Sequence, residues 1–191
     1  MNEIPWSQGV WLNPPVKTVQ EHSHLKVTGA YESDFWRNTS YGFVHDSGHA
    51  LLTDFPAHSS MEVTFILNYS GLFDQAGIIV YSDSHHWIKA GVENADGLPQ
   101  VGAVVTSINS DWSSAPVPQW MGKEVTMRAS RTTDALTIRA RCGEDDQLIR
   151  LAPIDASLSW SVGPHCASPV SKSLEVTFTR WAHGEADLAL H

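Results

Sequence analysis

The chain has 191 residues, 42% of them hydrophobic, and its 21 acidic against 12 basic side chains give a formal net charge of -9. Such a length and apolar content suit one domain over 1–191 with its packed part from about residue 6 to about residue 181. The acidic balance argues against nucleic acid, whose phosphates need a positive footprint, and no apolar run approaches the ~20 residues that span a bilayer.

The first residues, Met1-Asn2-Glu3-Ile4-Pro5-Trp6, hold neither a basic region nor an apolar stretch, which predicts a cytoplasmic protein without a secretory leader. In that compartment Cys142 and Cys166 are expected as thiols, and a bridge between them remains open for an exported protein. Short runs of period two then recur between clusters of Gly, Pro, Asn, Asp and Ser. They predict strands at His24 to Val27, Ala50 to Thr53, Met61 to Tyr69, Ala76 to Tyr81, Trp87 to Glu93, Val101 to Ile108 and Glu124 to Ala129. Leu136 to Cys142, Leu148 to Ala152, Ser161 to Cys166 and Leu174 to Trp181 continue the series. Met61, Val63, Phe65, Leu67 and Tyr69 alternate with Glu62, Thr64 and Asn68, so they form a core-facing row. Arg131-Thr132-Thr133-Asp134 and Asp83-Ser84-His85-His86 read as hairpin turns, and Asp155 to Trp160 as one short turn. No window gives a capped amphipathic helix. The expected class is all-β, two antiparallel sheets packed as a jelly-roll sandwich, with a frayed tail after Trp181.

Two neighbouring strands stand out. Ala76-Gly77-Ile78-Ile79-Val80-Tyr81 is apolar on both faces and predicts burial on both. Trp87-Ile88-Lys89-Ala90-Gly91-Val92-Glu93-Asn94 divides into Ile88, Ala90 and Val92 on one face and Trp87, Lys89, Gly91 and Glu93 on the other. An indole, an ammonium, a bare backbone and a carboxylate are costly to bury together and useful to a polar ligand.

Six stretches in order resemble a single family: Asp34-Phe35-Trp36-Arg37-Asn38-Thr39, Asp74-Gln75-Ala76-Gly77, Trp87 to Glu93, Val104-Val105-Thr106, Ser110-Asp111-Trp112-Ser113 and Ser168-Pro169. The chain resembles, from about Trp6 to Trp181, the regulation-of-enolase-protein-like domains of unknown function in the concanavalin A-like lectin and glucanase superfamily. The resemblance implies a curved two-sheet jelly roll with a concave face, and no particular reaction. Lys89-Ala90-Gly91 also resembles the strand core of jelly-roll alginate lyases. Glu93 stands where those carry a catalytic Tyr, and Ala95 where they carry a Gln.

Glycoside hydrolysis needs two carboxylates across the scissile bond, and the Glu-x-Asp-x-x-Glu run of laminarinase-like members of the superfamily is absent. Glu93 could still pair with Asp74, Asp34 or Asp111 across strands. Lys89 on the same face favours the charged carboxylate, which suits a ligand-clamping ion pair better than a proton donor. Of eight Trp, Trp6 and Trp160 are expected in core or edge, whereas Trp36, Trp87 and Trp112 are candidate stacking platforms. The ten His show no metal-site spacing and read as scattered surface imidazoles; calcium at Asp46 or Asp96 stays open. The expectation is a concave face that binds a polar, carbohydrate-related ligand, with no cofactor or metal. Asp34, Trp36, Gln75, Trp87, Thr106, Asp111 and Trp112 would line it around the charged pair Lys89 and Glu93. The alternatives are an enzyme with Glu93 as acid or base, and a regulatory partner of a cytosolic metabolic enzyme.

Overall fold

The computed structural model describes residues 1–172 and 174–189. In chain order the strands are β1 (Asn2–Glu3), β2 (Val10–Leu12), β3 (Lys17–Glu21), β4 (His24–Thr28), β5 (Phe35–Arg37), β6 (Val44–Asp46), β7 (His49–Asp54), β8 (Ser59–Ile66) and β9 (Gln75–Asp83). The series continues with β10 (His86–Ala95), β11 (Leu98–Ser107), β12 (Asn109–Pro116), β13 (Glu124–Arg131), β14 (Ala135–Cys142), β15 (Asp145–Pro153), β16 (Ser161–Ala167) and β17 (Glu175–Glu185). Two 3₁₀ turns, Trp6–Gln8 and Pro118–Trp120, are the only helical segments among the described residues.

The strands build a sandwich of two antiparallel sheets. One runs β15-β14-β13-β8-β17-β4-β3, with β1 added on β17; the other runs β12-β11-β10-β9-β16-β7-β2. Period two explains the layering. Met61, Val63, Phe65, Leu67 and Tyr69 enter the inter-sheet core as their alternation predicts, and Ile78, Val80, Ile88, Ala90 and Val92 meet them from the second sheet. Burying each large side chain contributes roughly 1.5–3 kcal/mol, so this layer is the main source of stability.

The outer face of the second sheet is not left to water. The β5–β6 hairpin lies over it, and Phe35 joins Ala50, Ile79, Trp87 and Val104 in a second, smaller apolar cluster. Ile79 is therefore covered on its outer side and Ile78 on its inner side, the two-faced burial that the apolar run of β9 predicts.

Two expectations change, and an edge strand appears that the sequence pattern does not announce. The residues after Trp181 are no frayed tail: β17 continues to Glu185 beside β8, and Asp187 takes Arg128 Nη2 at 2.7 Å and donates its backbone N–H to Ser130 Oγ at 2.8 Å. Ser110 to Ser113 belong to a full edge strand, β12, whose polar outward residues hide the alternation; the turn into it holds Ile108 at φ 70, a left-handed conformation that a β-branched residue rarely adopts. His49 and His165 are buried, not surface imidazoles. Cys142 and Cys166 are both free and buried.

Candidate functional site

Lys89, Gly91 and Glu93 project from β10 on the face away from the core, each in register with residues of β9 and β11. Gly91 lies between Gly77 and Gly102, and Glu93 between Gln75 and Gln100. The glycine row is obligatory in this packing, because a Cβ on Gly91 would run into the Ala76 carbonyl oxygen and one on Gly77 into that of Ala90. It leaves a strip of bare backbone as the floor.

Over that floor Lys89 Nζ donates to Gln75 Oε1 at 2.7 Å and to Asp34 Oδ1 at 2.9 Å. Asp34 Oδ1 also accepts from the Phe35 backbone N–H at 2.7 Å and from Gln75 Nε2 at 3.4 Å. Gln75 Nε2 donates its second proton to the Phe73 carbonyl at 3.3 Å. The ion pair is well shielded, with 7% and 18% of the two side chains exposed.

Glu93 is outside this network. Among the described residues its carboxylate has no hydrogen-bond or ion-pair partner. Burial pushes its pKa from 4.5 up to about 7; the Lys89 ammonium pulls it down by less, and the Asp34 and Asp96 carboxylates add to the rise. The expected Lys89–Glu93 clamp is thus replaced by a Lys89–Asp34 pair. Four residues along a strand separate Cα atoms by about 13 Å, whereas the chain entering β5 brings Asp34 directly over Lys89.

Above the floor opens a hollow of about 780 Å³. The β5–β6 hairpin supplies Trp36, Tyr41, Phe43 and His45 to one wall; β12 supplies Trp112, and the flanking loops supply Phe73 and Val170. Along the hairpin the rings form a ladder, with Trp36 5.6 Å from Tyr41, Tyr41 stacked on Phe43 at 5.3 Å and Phe43 4.7 Å from His45. A smaller cavity of about 30 Å³, water-sized, continues the hollow downward beside Gly91, Gly102, Gln100 and His165. Among the described residues no group of three His, Cys, Asp or Glu is placed to hold a metal ion.

The family model described as "Protein of unknown function (DUF1349)" matches residues 11–186. The chain belongs to that family. It is 37% identical over 179 residues to Regulation of enolase protein 1 of Saccharomyces cerevisiae, covering 92% of this chain and 89% of the yeast protein. It superposes on the crystal structure of a functionally unknown protein from Saccharomyces cerevisiae with a TM-score of 0.89 and 36% identity, over 97% of this chain and all of that one. The xylan β-1,4-xylosidase of Bacillus halodurans is similar in fold alone, with a TM-score of 0.66 and 15% identity over 85% of this chain and 33% of the enzyme.

In this DUF1349 domain, Asp34, Trp36, Gln75 and Trp112 join Lys89 and Glu93 around the hollow. Three candidates lie elsewhere. Trp87 is fully buried beneath Phe35, ring centroids 5.7 Å apart, so its indole is closed to any ligand; its Nε1 lacks a partner among the described residues. Thr106 Oγ1 is bonded to Ser110 Oγ at 2.8 Å in the same covered zone. Asp111 points to solvent and pairs with Arg150 at 2.8 Å. The hairpin is the reason, because it roofs the Trp87–Thr106 end of the sheet and leaves the Gly91–Glu93 end open. Asp74 is closed off as well, accepting from Ser168 Oγ at 2.7 Å, and burial raises its pKa.

Sequence reasoning missed His165 and Gln100. His165 sits on β16 in register with Gly77, and its Nδ1 faces the His49 carbonyl at 3.3 Å, so Nδ1 carries the proton and Nε2 is a bare acceptor. Burial, with a smaller push from the Lys89 ammonium, holds its pKa well below the imidazole range and keeps it neutral. His165 lies in a strand that the sequence predicts, Ser161 to Cys166, where period two puts it on the same face as Gly163; reading the histidines as surface imidazoles hid that signal.

Proposed function

We propose that the hollow over β10 binds a polar, carbohydrate-related ligand. The observation that carries the reading is an unpaired, largely buried carboxylate, Glu93, at the base of a 780 Å³ hollow walled by Trp36, Tyr41, Phe43 and Trp112. Rings of this kind stack on the apolar faces of pyranosides, and a carboxylate at the base accepts from their hydroxyls. A structural neighbour described as a xylan xylosidase supports the reading by analogy of fold only. The proposed setting is the cytosol, with a small polar molecule or an oligosaccharide as partner. Glycan-array binding by the full chain, lost in a folded Glu93→Ala variant, is the expected result; binding unchanged in that variant removes Glu93 from the site.

One observation favours a second reading, general acid or base catalysis on the same ligand. Glu93 is unpaired, and with a pKa of about 7 it exchanges a proton near neutral pH. Turnover of the bound sugar that disappears in Glu93→Gln while binding persists would establish it; binding without turnover leaves the protein a binding module. A regulatory role toward a cytosolic metabolic enzyme is supported by the name of the yeast relative and is tested by co-purification from lysate.

A further inference from the structure

On the sheet side of the hollow, below the Tyr41, His45 and Trp112 of its walls, the hydrogen-bonding capacity left open is mostly that of acceptors. Gln75 gives both amide protons to protein acceptors, Asp34 Oδ1 and the Phe73 carbonyl. Gln100 does the same, reaching the Ala95 carbonyl at 3.2 Å and Asp96 Oδ2 at 3.4 Å, while its Oε1 takes the Ser114 hydroxyl at 2.9 Å. Trp36 Nε1 is held by the Thr39 carbonyl at 3.0 Å, and Lys89 has two of its three protons in place on Asp34 and Gln75. The acceptors, by contrast, stand open among the described residues: Asp34 Oδ2, both oxygens of Glu93, and Nε2 of His165, a side chain only 3% exposed.

Charge points the same way. Glu32, Asp34, Glu93 and Asp96 line the hollow against the single ammonium of Lys89, which Asp34 already neutralises at 2.9 Å. An anionic group entering here would meet the Glu32 and Asp96 carboxylates and, in its ionised form, Glu93, with donors to be found only toward the walls and at the third Lys89 proton, and like charges in a partly desolvated site repel strongly. A ligand rich in hydroxyl or amine donors would satisfy acceptors that have no protein partner among the described residues.

We infer that the site selects a donor-rich, non-anionic sugar, a neutral or amine-bearing pyranoside, and rejects uronates and sugar phosphates. The inference rests on the proposed carbohydrate reading and narrows it: acceptors at the base take the hydroxyl or ammonium protons, and the ring lies against Trp112 or Trp36.

Saturation-transfer NMR and calorimetry on the full chain, with length-matched neutral xylo- and gluco-oligosaccharides, glucosamine oligomers, mannuronate oligomers and a hexose phosphate, test it. The neutral or amino sugars are expected to bind at least tenfold more tightly than the uronates and phosphates. Glu93→Gln, which turns an acceptor into a partial donor and removes a charge, is expected to weaken the neutral ligand about tenfold and to narrow the discrimination. Trp112→Ala, at a ring 43% exposed, weakens binding with the fold intact and controls for any folding defect at position 93. Uronates binding as tightly as neutral sugars would overturn the selectivity while leaving a carbohydrate site in place. Failure of every sugar to bind would overturn both.

Discussion

Lys89 places its ammonium 2.9 Å from Asp34, a residue 55 positions earlier, while Glu93, on the same strand face, has no ion-pair partner among the described residues. One half of the expected charged clamp has thus become a structural tie between the β5–β6 hairpin and the sheet, and the other half an isolated acid. These two roles respond oppositely to mutation.

Lys89→Met leaves the Asp34 carboxylate shielded and without its counter-ion, and is expected to destabilise the fold by about 3 kcal/mol, as for other broken buried pairs. The double variant Asp34→Asn with Lys89→Met is expected to recover most of that loss. Urea unfolding of the four proteins in a mutant cycle gives the coupling directly; additive losses would mean that the pair is not a tie.

Glu93 has the reverse effect. Its folded pKa of about 7 lies above the ordinary 4.5, so the folded protein holds a proton that the unfolded chain has released. The corresponding stability is fully present below pH 4.5 and is lost as pH rises through 7, amounting to about 3 kcal/mol at full deprotonation. Glu93→Gln is expected to remove this slope and to exceed the parent protein in stability at pH 8. Unfolding free energies at intervals from pH 4.5 to 8 check the slope, and a carboxyl carbon titrating near 4.5 in the folded protein would refute it.

Trp87 and Trp112 separate packing from binding. Trp87→Ala is expected to cost about 3–5 kcal/mol through the cavity under Phe35, whereas Trp87→Phe costs under about 1.5 kcal/mol because it also removes a buried unpaired N–H. Neither changes ligand affinity in a protein that folds. Trp112→Ala is expected to leave stability within about 0.5 kcal/mol and to lower affinity. Thermal melts beside calorimetric titrations distinguish the two positions.

The glycine floor gives a further contrast. Gly91→Ala forces a Cβ onto the Ala76 carbonyl oxygen in the centre of the sheet and is expected to cost about 3 kcal/mol or to prevent folding. Gly97→Ala, at φ +77 in the β10–β11 turn with open space around it, is expected to cost about 1 kcal/mol from backbone strain alone. Equal effects at the two sites would show that the floor is not tightly packed.

The sequence by itself determined the layers. Alternation in Met61 to Tyr69, in β10 and in the apolar run of β9 says which side chains face inward, because period two is a local property of an extended chain and burial simply follows it. It also brought out Asp34, Gln75, Lys89 and Glu93 as a set, through strand-face alternation and the family's ordered motifs. Only the tertiary structure decided their partners. Residues as far apart in sequence as Asp34 and Lys89 meet because a hairpin folds over the sheet, and that same hairpin closes the Trp87 end and opens the Glu93 end. His165 reaches the floor through a strand pairing between β16 and β9, some ninety residues apart. Which groups pair, and which are left as free acceptors, depends on distances across the fold that no local pattern encodes.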